Sequence, residues 1–207
     1  MTTNVSDHAT FDQVDLADFD EEGRHKLLMG AVSPRPIALV TTVSEGGVLN
    51  AAPFSQYVVI SITPPLLGFV AHETPEGYKD TVRNVKASGE FVVNCVTASM
   101  AHQVQRCSEP FPADVSEVCE VGFHILPSVH VAPARIAESP IHFECRLYKS
   151  FSFGADASKA TLIVGEVLLV HGAPGVFAGH RVNHANFKPL GRIAGRAYCL
   201  TQEVLHV

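Results

Sequence analysis

Two short strings hold residue types that chemistry needs. In Asn50-Ala51-Ala52-Pro53-Phe54-Ser55 a polar side chain stands at each end of a run of mostly small residues. If extended, the run lets the backbone approach a flat ring closely, and Asn50, Ser55 and the N–H groups of Ala51 to Phe54 offer hydrogen bonds to the ring edge. The same string also reads as a strand entering the core, with Asn50 satisfying a turn and Ser55 bonded locally. Lys79-Asp80-Thr81 opens a stretch whose Val82 and Val85 share a helical face and which Gly89 stops. A helix N-terminus presents unpaired N–H groups and a positive dipole end; Lys79 adds a charge and Thr81 a hydroxyl, a set suited to phosphate. Ordinary capping by Asp80, with Lys79 in solvent, explains the same residues. Arg35, held extended between Pro34 and Pro36, is a second cation for that anion or a surface arginine.

Other chemistries lack their patterns. The sequence contains no G-x-G-x-x-G, G-x-x-x-x-G-K-[ST], H-E-x-x-H or G-x-S-x-G. The five cysteines form no C-x-x-C pair, and Cys95 and Cys145 fall inside apolar runs, which suits buried thiols. His180 and His184 have helical metal-ligand spacing, but the glycines and prolines around them indicate a loop, so no metal is expected. His72 follows an apolar strand toward Lys79, within reach of a bound ring or on the surface.

With 207 residues, 46% hydrophobic and 17% charged, the chain suits one compact domain. A net charge of -6 argues against a nucleic-acid partner. Met1 to Glu22 carries seven carboxylates and no Lys or Arg, the reverse of a targeting peptide, and the apolar runs are too short or too interrupted to span a membrane. The expectation is a cytoplasmic protein with an acidic arm over 1–22, a single domain over 23–207, and no membrane partner.

The elements that must position these residues are mostly strands. A short helix over Arg24 to Met29 ends at Gly30, and Ile37 to Val43 and the stretch from Val48 form a hairpin about Glu45-Gly46-Gly47. Val58 to Ile62 and Leu66 to Ala71 flank Pro64-Pro65. After the Lys79 to Ser88 helix, with Asp80 as its cap, come a strand over Phe91 to Val96 and a helix over Ser99 to Arg106. The irregular 108–140 region has no clear assignment. Ile141, Phe143, Cys145 and Leu147 alternate with His142, Glu144, Arg146 and Tyr148, whose polar face meets solvent or an interface, and Thr161 to Val170 returns as a partner strand. Strands joined by turns, with inserted helices, point to a mainly β, closed or partly closed antiparallel barrel.

In order along the chain, Ser33-Pro34-Arg35-Pro36-Ile37-Ala38-Leu39-Val40-Thr41-Thr42, Asn50 to Ser55, Pro64-Pro65, Lys79-Asp80-Thr81-x-x-Asn84, Glu90-Phe91-Val92-Val93-Asn94 and Gly191-Arg192-Ile193-x-Gly195-x-x-Tyr198 resemble the flavin reductase-like family of FMN-binding split β-barrels. The resemblance covers about residues 25–200. It implies an antiparallel Greek-key barrel and a homodimer with FMN near the subunit interface. The ring would lie against Asn50, Ala51, Ala52, Pro53, Phe54 and Ser55, and the phosphate near Lys79, Asp80 and Thr81. Ser33, Arg35 and Pro36 would lie close by, with Asp80 capping the helix without touching phosphate. Two positions depart from the family pattern: Leu39, where many relatives carry Trp, and Ala194, where many carry Gly. Phe54, Tyr57, Phe187 and Tyr198 are the aromatics that remain to cover a ring.

The resemblance also implies an NAD(P)H-dependent flavin reductase, in which the flavin carries the chemistry and no protein acid or base is required. The alternatives are an electron-transfer flavoprotein served by a redox protein and a non-catalytic FMN-binding module. The 108–140 region and the acidic arm are expected to shape access to the ring.

Overall fold

The computed structural model describes residues 12–73, 77–154, 159–201 and 203–205. The first eleven residues of the predicted acidic arm lie outside them. A 3-10 turn at Leu16–Asp18 leads to α1 (Glu21–Ala31), which begins earlier than predicted because the Asp20 carboxylate caps it, accepting from the Gly23 N–H at 2.7 Å. The helix also runs through Gly30, and none of its residues is buried.

The chain then builds β1 (Ala38–Val43), β2 (Leu49–Phe54), β3 (Tyr57–Ser61), β4 (Leu66–His72), α2 (Asp80–Ser88) and β5 (Glu90–Cys95). Next come α3 (Ala101–Arg106), α4 (Glu117–Glu120), β6 (Ile125–Leu126), β7 (Arg135–Ile136) and the long hairpin of β8 (Ile141–Phe153) and β9 (Ala160–Gly172). Two small hairpins close the chain: β10 (Phe177–Ala178) with β11 (Arg181–Val182), and β12 (Leu190–Arg192) with β13 (Tyr198–Leu200).

Seven strands form one antiparallel sheet in the order β2-β1-β5-β8-β9-β4-β3. The passage from β4 through α2 to β5 crosses between hairpins, giving the Greek-key connection. The outermost strands, β2 and β3, are joined by only Ser55 and Gln56, so the sheet must curl until its ends meet. No ladder joins β2 to β3. The seam is closed by packing, with the Phe54 ring 4.7 Å from that of Phe69 on β4, and by the Val70 N–H donating to Gln56 O at 2.9 Å. This is a split barrel.

Ala38, Val40, Phe69, Phe91, Val93, Cys145 and Ile163 fill the barrel, with Val82 and Val85 of α2 plugging one side. On the opposite face of β1 and β2, Leu39 and Ala51 pack with Met100, Val104, Val118, Phe123 and Ile136 from the 98–139 region. Both faces of β1 are therefore buried, which explains its unbroken apolar run. Gly165 is required where β9 passes Phe91, because a Cβ there would stand 2.2 Å from Phe91 Cζ.

The polar face of β8, expected at solvent or an interface, divides: Arg146 and Tyr148 are exposed, whereas His142 and Glu144 are buried beneath the segment around residues 128–136. The Glu144 carboxylate, 0% exposed, accepts from the N–H groups of Val129 at 2.8 Å and His130 at 2.6 Å, and pairs with His171 Nε2 at 2.6 Å. His142 Nε2 donates to Ile136 O at 2.8 Å, and Asn94 Oδ1 accepts from the Ile136 N–H at 2.8 Å. The region between α3 and β8 has little ladder of its own, so the barrel's polar side chains supply partners for its backbone.

Candidate functional site

Strand β2 lies at the open edge of the sheet. Its residues 50, 52 and 54 face β1, whereas Leu49, Ala51 and Pro53 turn their backbone groups outward. The sequence missed what covers that edge: Ser116 Oγ donates to Leu49 O at 2.5 Å, and Glu117 accepts from the Ala51 N–H at 3.1 Å and Asn50 Nδ2 at 2.7 Å. The expected N–H donors of Ala51 to Phe54 are therefore corrected. Ala51 donates to Glu117, Pro53 has no N–H, and Ala52 and Phe54 point into the ladder. Burial raises the Glu117 carboxyl above its ordinary value, against the opposing hydrogen bonds from its own N–H, Ala51 and Asn50.

Asn50 is equally committed. Its Oδ1 accepts from Thr81 Oγ1 at 2.9 Å and Thr42 Oγ1 at 3.2 Å, and Asn84 Nδ2 in turn donates to Thr42 Oγ1 at 3.0 Å. Asn50 and Thr81, expected to touch a ligand, thus form a buried network that fastens β2 to α2. Thr81 is buried, its hydroxyl directed to Asn50 rather than outward.

The N-terminus of α2 differs from expectation in a second respect. Lys79 occupies the capping position and no side chain caps the helix. Asp80 is the first helical residue and pairs with Arg83. Proximity to the helix end favours its carboxylate there, but its oxygens face Arg83 rather than the orphan N–H groups. Lys79 Nζ lies 5.8 Å from the Phe54 ring centroid, and desolvation lowers its ammonium below the ordinary value.

Arg35 is 7% exposed, contrary to the surface alternative. Its guanidinium donates to Met29 O, to Val32 O at 2.6 Å, to Ile193 O at 2.7 Å and to Ser55 Oγ at 3.3 Å. It ties the end of α1 to the closing segment and to the end of β2. Ser33 Oγ donates to Gly30 O at 2.8 Å, and Pro36 is exposed beside it.

Two clefts divide the expected site residues. The larger, about 300 Å³, lies between the β1–β2 turn and α2 and includes Asn50, Asp80, Arg83 and Asn84. The smaller, about 120 Å³, opens where Pro53 and Ser55 meet Arg192 and Tyr198. Half-buried Pro53 lines the smaller cleft, and half-buried Ala52 lines neither.

Of the aromatics proposed to cover a ring, Phe54 is excluded by its packing in the barrel core. Tyr198 stacks under Arg192, and Phe187 lies 6.5 Å from His184. Burial holds the Tyr57 phenol far above its ordinary range. Leu39 is 0% exposed, so this position presents nothing to a ligand. His72 Nε2 meets Gln56 Oε1 at 2.7 Å; burial, His25 and Lys79 lower its imidazole, opposed by Glu21. His180 and His184 flank a β-hairpin strand, not a helical turn, and no cluster of three metal-ligating side chains occurs among the described residues. No helix among them is long and apolar enough to cross a membrane.

Residues 29–188 match the family described as Flavin reductase like domain. The chain belongs to the flavin reductase-like family. Uncharacterized protein BH2278 of Halalkalibacterium halodurans is 39% identical over 84% of this chain and 85% of its own length. Nitrilotriacetate monooxygenase component B from Bacillus cereus superposes with a TM-score of 0.92 at 28% identity, covering 97% of this chain and 100% of that one. The 2-nitrobenzoate 2-nitroreductase NbaA of Pseudomonas fluorescens gives 0.86 at 31% identity, covering 95% of each chain. A split-barrel protein from Shewanella frigidimarina shares the fold alone, with a TM-score of 0.78 at 16% identity, covering 97% and 98% of the two chains. Family membership makes this chain a flavin-binding protein of the oxidoreductase kind.

Proposed function

We propose that the protein is an FMN-dependent oxidoreductase that takes hydride from NADH or NADPH and acts as a homodimer. The observation that carries this reading is the uncapped N-terminus of α2, which Lys79 opens with its ammonium 5.8 Å from the Phe54 ring centroid, beside strand β2. The residues fit FMN: an uncapped helix end and one ammonium suit a phosphate dianion, and Pro53, on the face of β2 away from the barrel core, presents a surface without bulky projections.

Bound FMN would supply reversible two-electron chemistry at its ring. Lys79 and the first-turn N–H groups would hold the phosphate, while Glu117, Asn50 and Thr81 keep β2 and α2 in fixed relation. The Ser55 hydroxyl, whose oxygen accepts from Arg35, retains its own hydrogen to donate toward the ring edge.

The homodimer is supported by an apolar edge. Val58, Val59 and Ile60 of β3, with Ile62 beyond it, are exposed on a terminal strand of the sheet. Exposed apolar edge strands are association sites. Five free cysteines suit a reducing, cytoplasmic location.

The test is the visible spectrum of the purified protein with FMN, followed by anaerobic NADH or NADPH. Bound flavin that bleaches is the expected result. Bound flavin that stays yellow would replace the nicotinamide donor with a redox protein, and no flavin uptake would overturn the proposal.

A further inference from the structure

The smaller cleft has walls of one character and a rim of another. Ile37, Pro53 and Val104 make the apolar walls; Ser55, Ser108, Arg192 and Tyr198 bring the polar groups. The Arg192 guanidinium carbon lies over Tyr198, 4.6 Å from the ring centroid. It donates to Gln105 Oε1 at 3.1 Å and to Gly195 O, which account for two of its five N–H donors. Gln105 is held in turn, since its Oε1 accepts from the Tyr198 hydroxyl at 2.8 Å and its Nε2 donates to Ser108 Oγ at 2.9 Å.

The charge balance at this cleft is one-sided. Arg35 and Arg192 are joined through their backbones, with N–H to O distances of 2.9 and 2.8 Å. Neither guanidinium has a carboxylate within ion-pair distance among the described residues, where the ion pairs involve other groups. The carbonyls around Arg35 satisfy hydrogen bonds without cancelling charge. Two neighbouring cations at a partly desolvated site leave a positive potential that an anion relieves.

Size narrows the ligand. A cavity of about 150 Å³ accepts a benzene ring. At about 120 Å³ and open on one side, this cleft suits one small ring or a short chain. The apolar walls favour an organic anion over inorganic phosphate, because only the former has a body to bury against them.

We propose that the cleft is a binding site for a small organic carboxylate, its apolar body on Ile37, Pro53 and Val104 and its carboxylate on the uncommitted N–H groups of Arg192, the Ser108 hydroxyl being held by Gln105 O at 2.6 Å. Through Pro53 and Ser55 the site shares a wall with β2, so a carboxylate bound here would lie beside the flavin. That last step rests on the function proposed above; binding does not.

The test is calorimetric titration of the protein as purified with benzoate, benzamide and inorganic phosphate. Benzoate is expected to bind at least about tenfold more tightly than either of the others, the difference a charge-assisted hydrogen bond makes. Arg192→Gln should bring benzoate down to the benzamide level. Ser108→Asp, an exposed substitution that leaves the packing intact, should do the same by supplying the missing counter-charge. Equal affinity for benzoate and benzamide, equal affinity for phosphate, or an unchanged benzoate affinity in Ser108→Asp would each overturn the proposal. So would a benzoate Kd above about 10 mM. Flavin absorbance of the same samples separates the two readings: benzoate bound without flavin uptake retains the carboxylate site and removes the flavoprotein, and flavin uptake without benzoate binding does the reverse.

Discussion

Replacing Glu117 by Ala tests whether a single buried carboxylate holds the edge of β2. The side chain is 7% exposed and accepts from Asn50 Nδ2 and the Ala51 N–H. Each donor left without a partner costs about 1–3 kcal/mol, about 2–6 kcal/mol for the pair. Release of a desolvated carboxylate offsets part of this, leaving an expected loss of about 2–4 kcal/mol. For a chain of this size that is a fall of about 5–15 °C in Tm. Glu117→Gln keeps the volume and one of the two acceptors, so its cost should fall to about 1–3 kcal/mol, below that of Ala. The pH dependence supplies an independent check. The folded carboxyl is raised, so its stabilising protonation is complete below the unfolded value of about 4.3 and is lost as pH rises through the folded value. Gln carries no proton to lose, so the stability advantage of wild type over Glu117→Gln should narrow across that window. Urea unfolding at several pH values reads all of this, and an Ala variant within about 0.5 kcal/mol of wild type would refute the reasoning.

Three further outcomes are expected. Lys79→Ala should weaken FMN binding about tenfold in a fluorescence-quenching titration while leaving riboflavin, which lacks the phosphate, unaffected. Equal losses for both ligands would remove Lys79 from the phosphate. Glu144 should make the protein acid-labile: burial tends to raise its carboxyl, but the N–H groups of His130 and Val129 and the His171 side chain outweigh it and hold it below the ordinary value. Its contribution is therefore present above the unfolded carboxylate range and lost as pH falls through the folded value, and Glu144→Gln should flatten the acid limb of a Tm-against-pH curve. Ile60→Asp, on the exposed edge strand, should convert a dimer to monomer in sedimentation velocity without lowering helix or strand content, and an unchanged mass would move the interface elsewhere.

The barrel was legible because its strands announce themselves locally. The β1–β2 hairpin follows from β-branched runs around Glu45-Gly46-Gly47, the break at Pro64-Pro65 from the missing N–H groups, and the end of α2 from Gly89, whose φ of 73° suits glycine. Asp80 was misread as a cap because the string shows a carboxylate at a helix start but not that Arg83, one turn on, claims it. Likewise, alternation placed His142 and Glu144 on one face of β8 but gave no sign that the Val129–Ile136 backbone would cover that face.

By itself, then, the sequence determined the strand and helix periodicities, the turn positions and the ordered motifs that mark the family, because each depends on residues close together in the chain. Only the tertiary structure decided which of those motif residues face a ligand. Asn50, Thr81 and Arg35 became internal ties through partners that include residues 31, 67 and 158 positions away, and Arg192 and Tyr198 came to Pro53 and Ser55 from a distant part of the chain. Buried polar groups must find partners wherever the fold places them, and contacts between distant segments leave no periodic trace in the sequence.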